Sequence, residues 1–182
     1  MIHKVRNDVS GGEAAPELHE WTVASALIEG PEGLLLVENL RHNGLTDWTP
    51  PGGVIELLEG ESILAGLTRE VEEETGLRVT EWDGPLYEVT TMAPAMGWLM
   101  RVEVHRAVSY EGALRIGEDP DGIVIGAAWG DVDACEIRLE GGHPWVREPL
   151  VDWLRPDVVE ASTYRYRLDG SGMHDAVVER LA

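Results

Sequence analysis

Hydrophobic positions in this chain follow two periods. Trp21-Thr22-Val23-Ala24-Ser25-Ala26-Leu27-Ile28 and Leu34 to Val37 are short apolar runs, separated by Glu29-Gly30-Pro31-Glu32-Gly33, and they predict two strands joined as a hairpin. Further strands are expected over 86–91, 97–108, 123–129 and 164–168, with a turn-rich stretch over 117–122. Arg41 to Asp47 is polar and loop-like. In Trp48-Thr49-Pro50-Pro51-Gly52-Gly53, two prolines remove backbone donors and two glycines open backbone angles closed to other residues, so a shaped loop is expected before a short strand at Val54-Ile55. The period changes over 62–75. There Ile63, Leu64, Leu67 and Val71 fall on one arc when wound at about 100° per residue and should face a core. Ser62 is placed to cap this helix and Gly76 to stop it. A second helix is expected over 145–154, entered through Pro144, and a terminal helix over 173–181. Irregular alternation of strands and helices predicts an α/β (α+β) fold with a mixed sheet covered by helices.

Composition changes little in this picture. A chain of 182 residues holds one domain with a real core. Residues 1–18, with Ser10-Gly11-Gly12 and Pro16, read as a flexible arm; 19–156 read as the domain, and 157–182 as a C-terminal extension packed on it. No apolar run reaches the roughly 18 residues of a membrane span, and residues 1–8 lack the apolar stretch of a secretory signal, so a cytoplasmic protein is expected. Cys135 is the one cysteine, which excludes an intrachain disulfide and a paired-cysteine zinc site; it reads as a buried small hydrophobe.

Charge changes more. The formal net charge is -20, and Lys4 is the sole lysine among 14 basic residues. Such a surface disfavours nucleic acid and anionic membranes. It accepts an anionic small molecule only where bound cations and a few arginines reverse the field locally.

The helix over 62–75 carries the chemistry. Glu70 and Glu74 sit at the edge of the apolar arc, Glu73 lies just beyond Glu70, and Glu72 faces solvent. Like charges at this spacing repel, they are disfavoured beside an apolar face, and the negative end of the helix dipole disfavours them again. A divalent cation held by oxygen ligands, Mg²⁺ or Mn²⁺, would relieve all three effects. A solvated acidic helix end remains the alternative on the helix alone.

From Gly53 to Leu77 the sequence resembles the Nudix box, a Gly, five residues, a Glu, seven residues, then Arg-Glu-apolar-x-Glu-Glu-x-Gly-apolar. Glu61, seven residues, Arg69-Glu70-Val71, Glu73-Glu74 and Gly76-Leu77 complete the second half. Seven residues instead of five separate Gly53 from Glu61, a two-residue insertion that a loop absorbs cheaply. The resemblance implies an α/β/α sandwich and Mg²⁺-dependent (or Mn²⁺-dependent) hydrolysis of a nucleoside diphosphate linked to another group. It implies metal ligation by Glu70, Glu73, Glu74 and the Gly53 carbonyl, and catalytic roles for Glu70, Glu73 and Arg69, with Glu61 in support. An additional carboxylate is expected from Glu118, Asp119 or Asp121. Arg41 and Arg101 are candidates for phosphate contact and Trp48 for base stacking. Nucleoside triphosphates, as for MutT, are the favoured substrate; ADP-ribose or a nucleotide sugar is the alternative, and a catalytically silent nucleotide-binding regulatory module is a reading of another class. A monomer or homodimer with a small-molecule nucleotide as partner is expected.

Overall fold

Side-chain alternation along β1 (His19–Leu27) divides the molecule into two cores. Ala24 and Ala26 turn to one side and Leu27 to the other. The computed structural model describes residues 18–57, 60–116, 122–155 and 162–182. After β1 come β2 (Glu29–Gly30), β3 (Gly33–Leu40), β4 (Thr46–Thr49) and β5 (Gly52–Val54), then helix α1 (Ile63–Thr75). The long strands β6 (Leu77–Ala93) and β7 (Trp98–Gly112) form a hairpin through a 3-10 turn at Pro94–Met96. They are followed by β8 (Val124–Gly130), α2 (Val132–Leu139), α3 (Pro144–Leu154), β9 (Thr163–Asp169) and β10 (Val177–Leu181).

One mixed sheet has the order β10-β9-β6-β7-β1-β5, with β1 parallel to β7 and β6 parallel to β9. A second sheet is built around β3, which pairs with β2, β4 and β8. Helix α1 covers one face, with Leu67 and Val71 meeting Ala24, Ala26, Ile28 and Leu35. Helices α2 and α3 cover the other, where Cys135, Leu139 and Leu150 join Leu27, Tyr166 and Leu168. The result is the expected α/β/α arrangement. No helix among the described residues is long and apolar enough to cross a membrane.

Several expectations need correction. Residues 21–28 and 34–37 do not form one hairpin: β1 pairs with β5 and β7, and among the described residues only Ile28 to Gly30 turn back onto β3. The glycine-rich turn exists, but it carries the chain from one sheet to the other. Residues 173–181 hold no helix. Val177 and Val178 begin β10, which pairs antiparallel with β9, and a β-branched pair beside an available strand edge favours that outcome. Leu64 is 40% exposed, because the first turn of α1 is left uncovered. Helix α2, absent from the sequence reading, is capped by Asp131, whose side chain accepts from Ala134 N–H. The expected arm falls on residues outside those described, apart from Leu18.

The C-terminal hairpin belongs to the sheet and its core, since Tyr166 and Leu168 are fully buried. Leu168→Ala is therefore expected to lower unfolding free energy by about 2–5 kcal/mol. An unchanged urea midpoint would show that the hairpin is not part of the cooperative fold.

Candidate active site

Local signals place α1 as they should. Ser62 Oγ accepts from Ala65 N–H at 3.3 Å, and Gly76, at φ 72°, ends the helix in the left-handed conformation. Leu67 and Val71 are buried and set the helix rotation, so Glu70, Glu73 and Glu74 face β5 and a cleft while Glu72 stays in solvent.

Arg69 gathers the carboxylates. Its Nε and Nη2 donate to the two oxygens of Glu61 at 3.0 and 3.1 Å, and its Nη1 donates to Glu70 at 2.7 Å and to Glu73 at 3.1 Å. Glu56 N–H adds a bond to Glu61 Oε2 at 3.2 Å. Hydrogen bonding from Arg69, partly offset by desolvation and aided by Glu56, holds the Glu61 carboxyl below the usual range; Glu61 and then Glu70 raise the Arg69 value in turn. Glu74 is 9% exposed, and its carboxylate accepts from Gly52 N–H at 2.8 Å.

Three glycines make room for this assembly. A Cβ on Gly66 would stand 2.6 Å from Glu61 Oε2, and one on Gly53 would stand 2.4 Å from Glu70 Oε2. Gly52 has φ 143°, and a Cβ there would meet the Ala24 carbonyl at 2.2 Å. The Pro-Pro-Gly-Gly segment thus brings bare backbone of β5 against the carboxylates, paired to β1 through Ala24 and Ser25. Gly66 was missed in the sequence, although a glycine inside a good helix pattern is itself a sign of close approach.

The carboxylates open onto a cleft of about 760 Å³. Arg41 and Trp48 line it. The Arg41 guanidinium is committed to Asp47 at 2.7–3.0 Å, and the Arg138 guanidinium lies 5.2 Å from the Trp48 ring centroid. Arg101 is not brought to the cleft. Trp98, Met100, Val102 and Val104 present one face of β7 to it, and the two-residue period turns Arg101 to the opposite face, 3.7 Å from Glu20. That apolar alternation was visible in the sequence. Glu118, Asp119 and Asp121 lie outside the described residues. His143, just ahead of α3, also lines the cleft, with its ring stacked on Trp145 at 4.2 Å. No spacing rule pointed to it, since its neighbours in the cleft come from other elements.

Four carboxylates, Glu61, Glu70, Glu73 and Glu74, stand against the single guanidinium of Arg69, leaving three formal negative charges. Among the described residues no three side chains of His, Cys, Asp or Glu converge as a ready-made ligand set. Glu70 and Glu73 are turned to Arg69, and Glu74 to Gly52. The donor set, hard oxygens in excess of positive charge beside unobstructed glycine backbone, nevertheless fits a Mg²⁺-like ion.

A family model described as the NUDIX domain matches residues 19–154. No curated protein matches the chain. Among solved structures, the MutT NUDIX hydrolase from Burkholderia pseudomallei is similar at 23% identity, covering 69% of this chain and 99% of that one, with TM-score 0.55. The MutT protein from Methanosarcina mazei Go1 is 19% identical, covering 78% and 96%, with TM-score 0.61. A structure described as an ADP compounds hydrolase is 16% identical, covering 75% and 71%, with TM-score 0.56. At such identities the likeness is one of fold.

Two outcomes follow from the geometry. In an unobstructed helix Gly66→Ala would stabilise by about 1 kcal/mol; here the added methyl displaces the Glu61 carboxylate from Arg69. Hydrolytic activity is expected to fall roughly 10–100-fold with the helix retained by circular dichroism, and wild-type activity would contradict a positioning role for Glu61. His143 is exposed by surface area, yet desolvation by the groups packed around its ring, Trp145 among them, lowers its pKa from 6.5. The unfolded chain therefore takes up a proton that the folded ring resists, and stability contributed by the neutral ring is lost as pH falls below that ordinary value. An NMR titration midpoint for His143 at or above 6.5 would contradict this desolvation.

Proposed function

The chain belongs to the NUDIX domain family and is a hydrolase of that family, and from that premise we propose that it cleaves a nucleoside diphosphate linked to another group, releasing a nucleoside monophosphate and either pyrophosphate or a phosphorylated group. The observation that carries this reading is the set of carboxylates gathered by Arg69 beside the Gly52–Gly53 backbone at the floor of the cleft. Glu70, Glu73, Glu74 and the Gly53 carbonyl are the oxygens that would hold Mg²⁺ or Mn²⁺. When bound, such a cation neutralises the diphosphate and stabilises charge on the departing phosphate.

The chain's own residues do the rest. Arg69 orients Glu70 and Glu73 through Nη1, and Glu61 fixes Arg69 by occupying the opposite edge of the guanidinium. A carboxylate of this set, Glu70 or Glu73, accepts the proton of the attacking water. The cleft shelters the reacting diphosphate from bulk solvent.

Nucleoside triphosphates are the favoured substrates, a reading supported by the Trp48-x-x-Pro-Gly-Gly segment that shapes the cleft floor. ADP-ribose or a nucleotide sugar is the second reading, supported by the structural neighbour described as an ADP compounds hydrolase. The intact Arg69, Glu70, Glu73 and Glu74 weigh against a silent module.

A panel of nucleoside triphosphates, normal and oxidised, with ADP-ribose, nucleotide sugars and dinucleoside polyphosphates, assayed with Mg²⁺, tests the proposal. Turnover of at least one class is expected, lost on chelation and restored by Mg²⁺. Glu73→Gln and Glu74→Gln are each expected to lower kcat by about 10²–10⁴-fold with the fold intact. Near-normal rates in both variants would overturn the site, and an inert wild type would favour the regulatory module.

A further inference from the structure

Residues 163–181 lie beyond the matched segment 19–154, yet their hairpin reaches the cleft. It is fixed on α3: Tyr166 Oη donates to Glu148 at 2.9 Å and Tyr164 Oη to Asp152 at 3.1 Å. Arg180 approaches the same two carboxylates at 3.5 and 3.6 Å and covers the Tyr164 ring. The connecting turn is closed by Asp175, which accepts from Ser171 Oγ at 2.8 Å, Ser171 N–H at 3.2 Å and Gly172 N–H at 2.8 Å. In this polar turn, Gly170-Ser171-Gly172-Met173-His174-Asp175, the one large apolar side chain is Met173. It is 50% exposed and lines the cleft together with Tyr87, Trp98 and Trp145.

The charges in the cleft point the same way. Among the described lining residues the basic groups are Arg41, Arg69 and His143. Arg41 is paired with Asp47, Arg69 with three glutamates, and the His143 ring lies stacked on Trp145 with its charged form disfavoured by desolvation. None of them stands ready for a second anionic group away from the carboxylates of α1. An exposed thioether in a cleft also lined by aromatic rings suits a planar, uncharged one.

We infer that the β9–β10 hairpin is a substrate-specificity element, with Met173 forming a wall of the cleft against a planar, uncharged group on the part of the substrate away from the cleaved diphosphate. This rests on the pyrophosphohydrolase reading for its kinetic consequence, but not for its binding consequence. Met173 selects by contact, and its removal weakens binding without touching the chemical step.

The test uses full-length Met173→Leu, Met173→Ala and Met173→Glu. Kinetics are measured on the best substrate of the panel, and tryptophan fluorescence is titrated with adenosine, guanosine and their 3′-monophosphates in metal-free buffer. Met173→Leu is expected to keep KM within about twofold, Met173→Ala to raise it about fivefold and Met173→Glu at least about tenfold, with kcat nearly unchanged in each. Nucleoside affinity should fall in the same order, and a 3′-phosphate should weaken binding to the wild type by about tenfold. Turnover with unchanged KM in both Met173→Ala and Met173→Glu overturns this inference alone. If no compound is turned over but nucleosides quench the wild type and Met173→Ala weakens the effect, the reaction reading falls and the specificity element stands. Absence of both turnover and quenching removes both.

Discussion

Arg69 holds three carboxylates with three nitrogens, Nε and Nη2 on Glu61 and a shared Nη1 on Glu70 and Glu73. A planar guanidinium can do this only if the acids approach from fixed directions, and much of the surrounding backbone answers to that requirement. Gly66 leaves the helix surface open where Glu61 folds back, and Gly53 leaves room for Glu70. Gly52 takes a conformation closed to other residues and spends its N–H on Glu74. Strand β5 is short and, among the described residues, pairs only with β1 over Val23–Ser25, which brings it directly beside α1. The apolar face of α1 supplies the clamp: Leu67 and Val71 bury against the sheet, so the rotation of the helix, and with it the position of every glutamate, is set by hydrophobic packing.

This dependence explains which parts could be read from the sequence. Helix α1 is specified locally, by Ser62, the i, i+4 spacing of Leu67 and Val71, and Gly76, and its boundaries match the expected ones to one residue. Most of the second half of the Nudix motif lies on that helix, which is why Glu70, Glu73 and Glu74 could be read as one cluster from their spacing alone. Pairings between distant segments are a different matter. The chain over 173–181 carries both a helical spacing and a β-branched pair, and only the free edge of β9 decides between them. The β1 segment was followed correctly as a strand, but its partners, β5 and β7, begin 52 and 98 residues into the chain, and nothing in the turn at 29–33 names them. Arg101 was misplaced for a simpler reason: it was read by residue type when the alternation of Trp98, Met100, Val102 and Val104 already fixed its face.

Chemistry and recognition are accordingly encoded at different ranges. Glu70, Glu73 and Glu74 come from one helix and Glu61 from the segment just before it, so a two-residue lengthening of the loop between Gly53 and Glu61 leaves their spacing to Arg69 unchanged. The cleft beyond them is assembled from β3, β4, β7, the start of α3 and the turn of the C-terminal hairpin. A substitution in any one of these elements alters the pocket while the carboxylates gathered by Arg69 stay in place. In a cleft whose arginines are already paired, attraction of the proposed anionic diphosphate would fall to a cation held at the carboxylate end. On a chain of net charge -20 the same surplus of carboxylates that repels a bare anion would, on the proposed reading, recruit the cation that admits it.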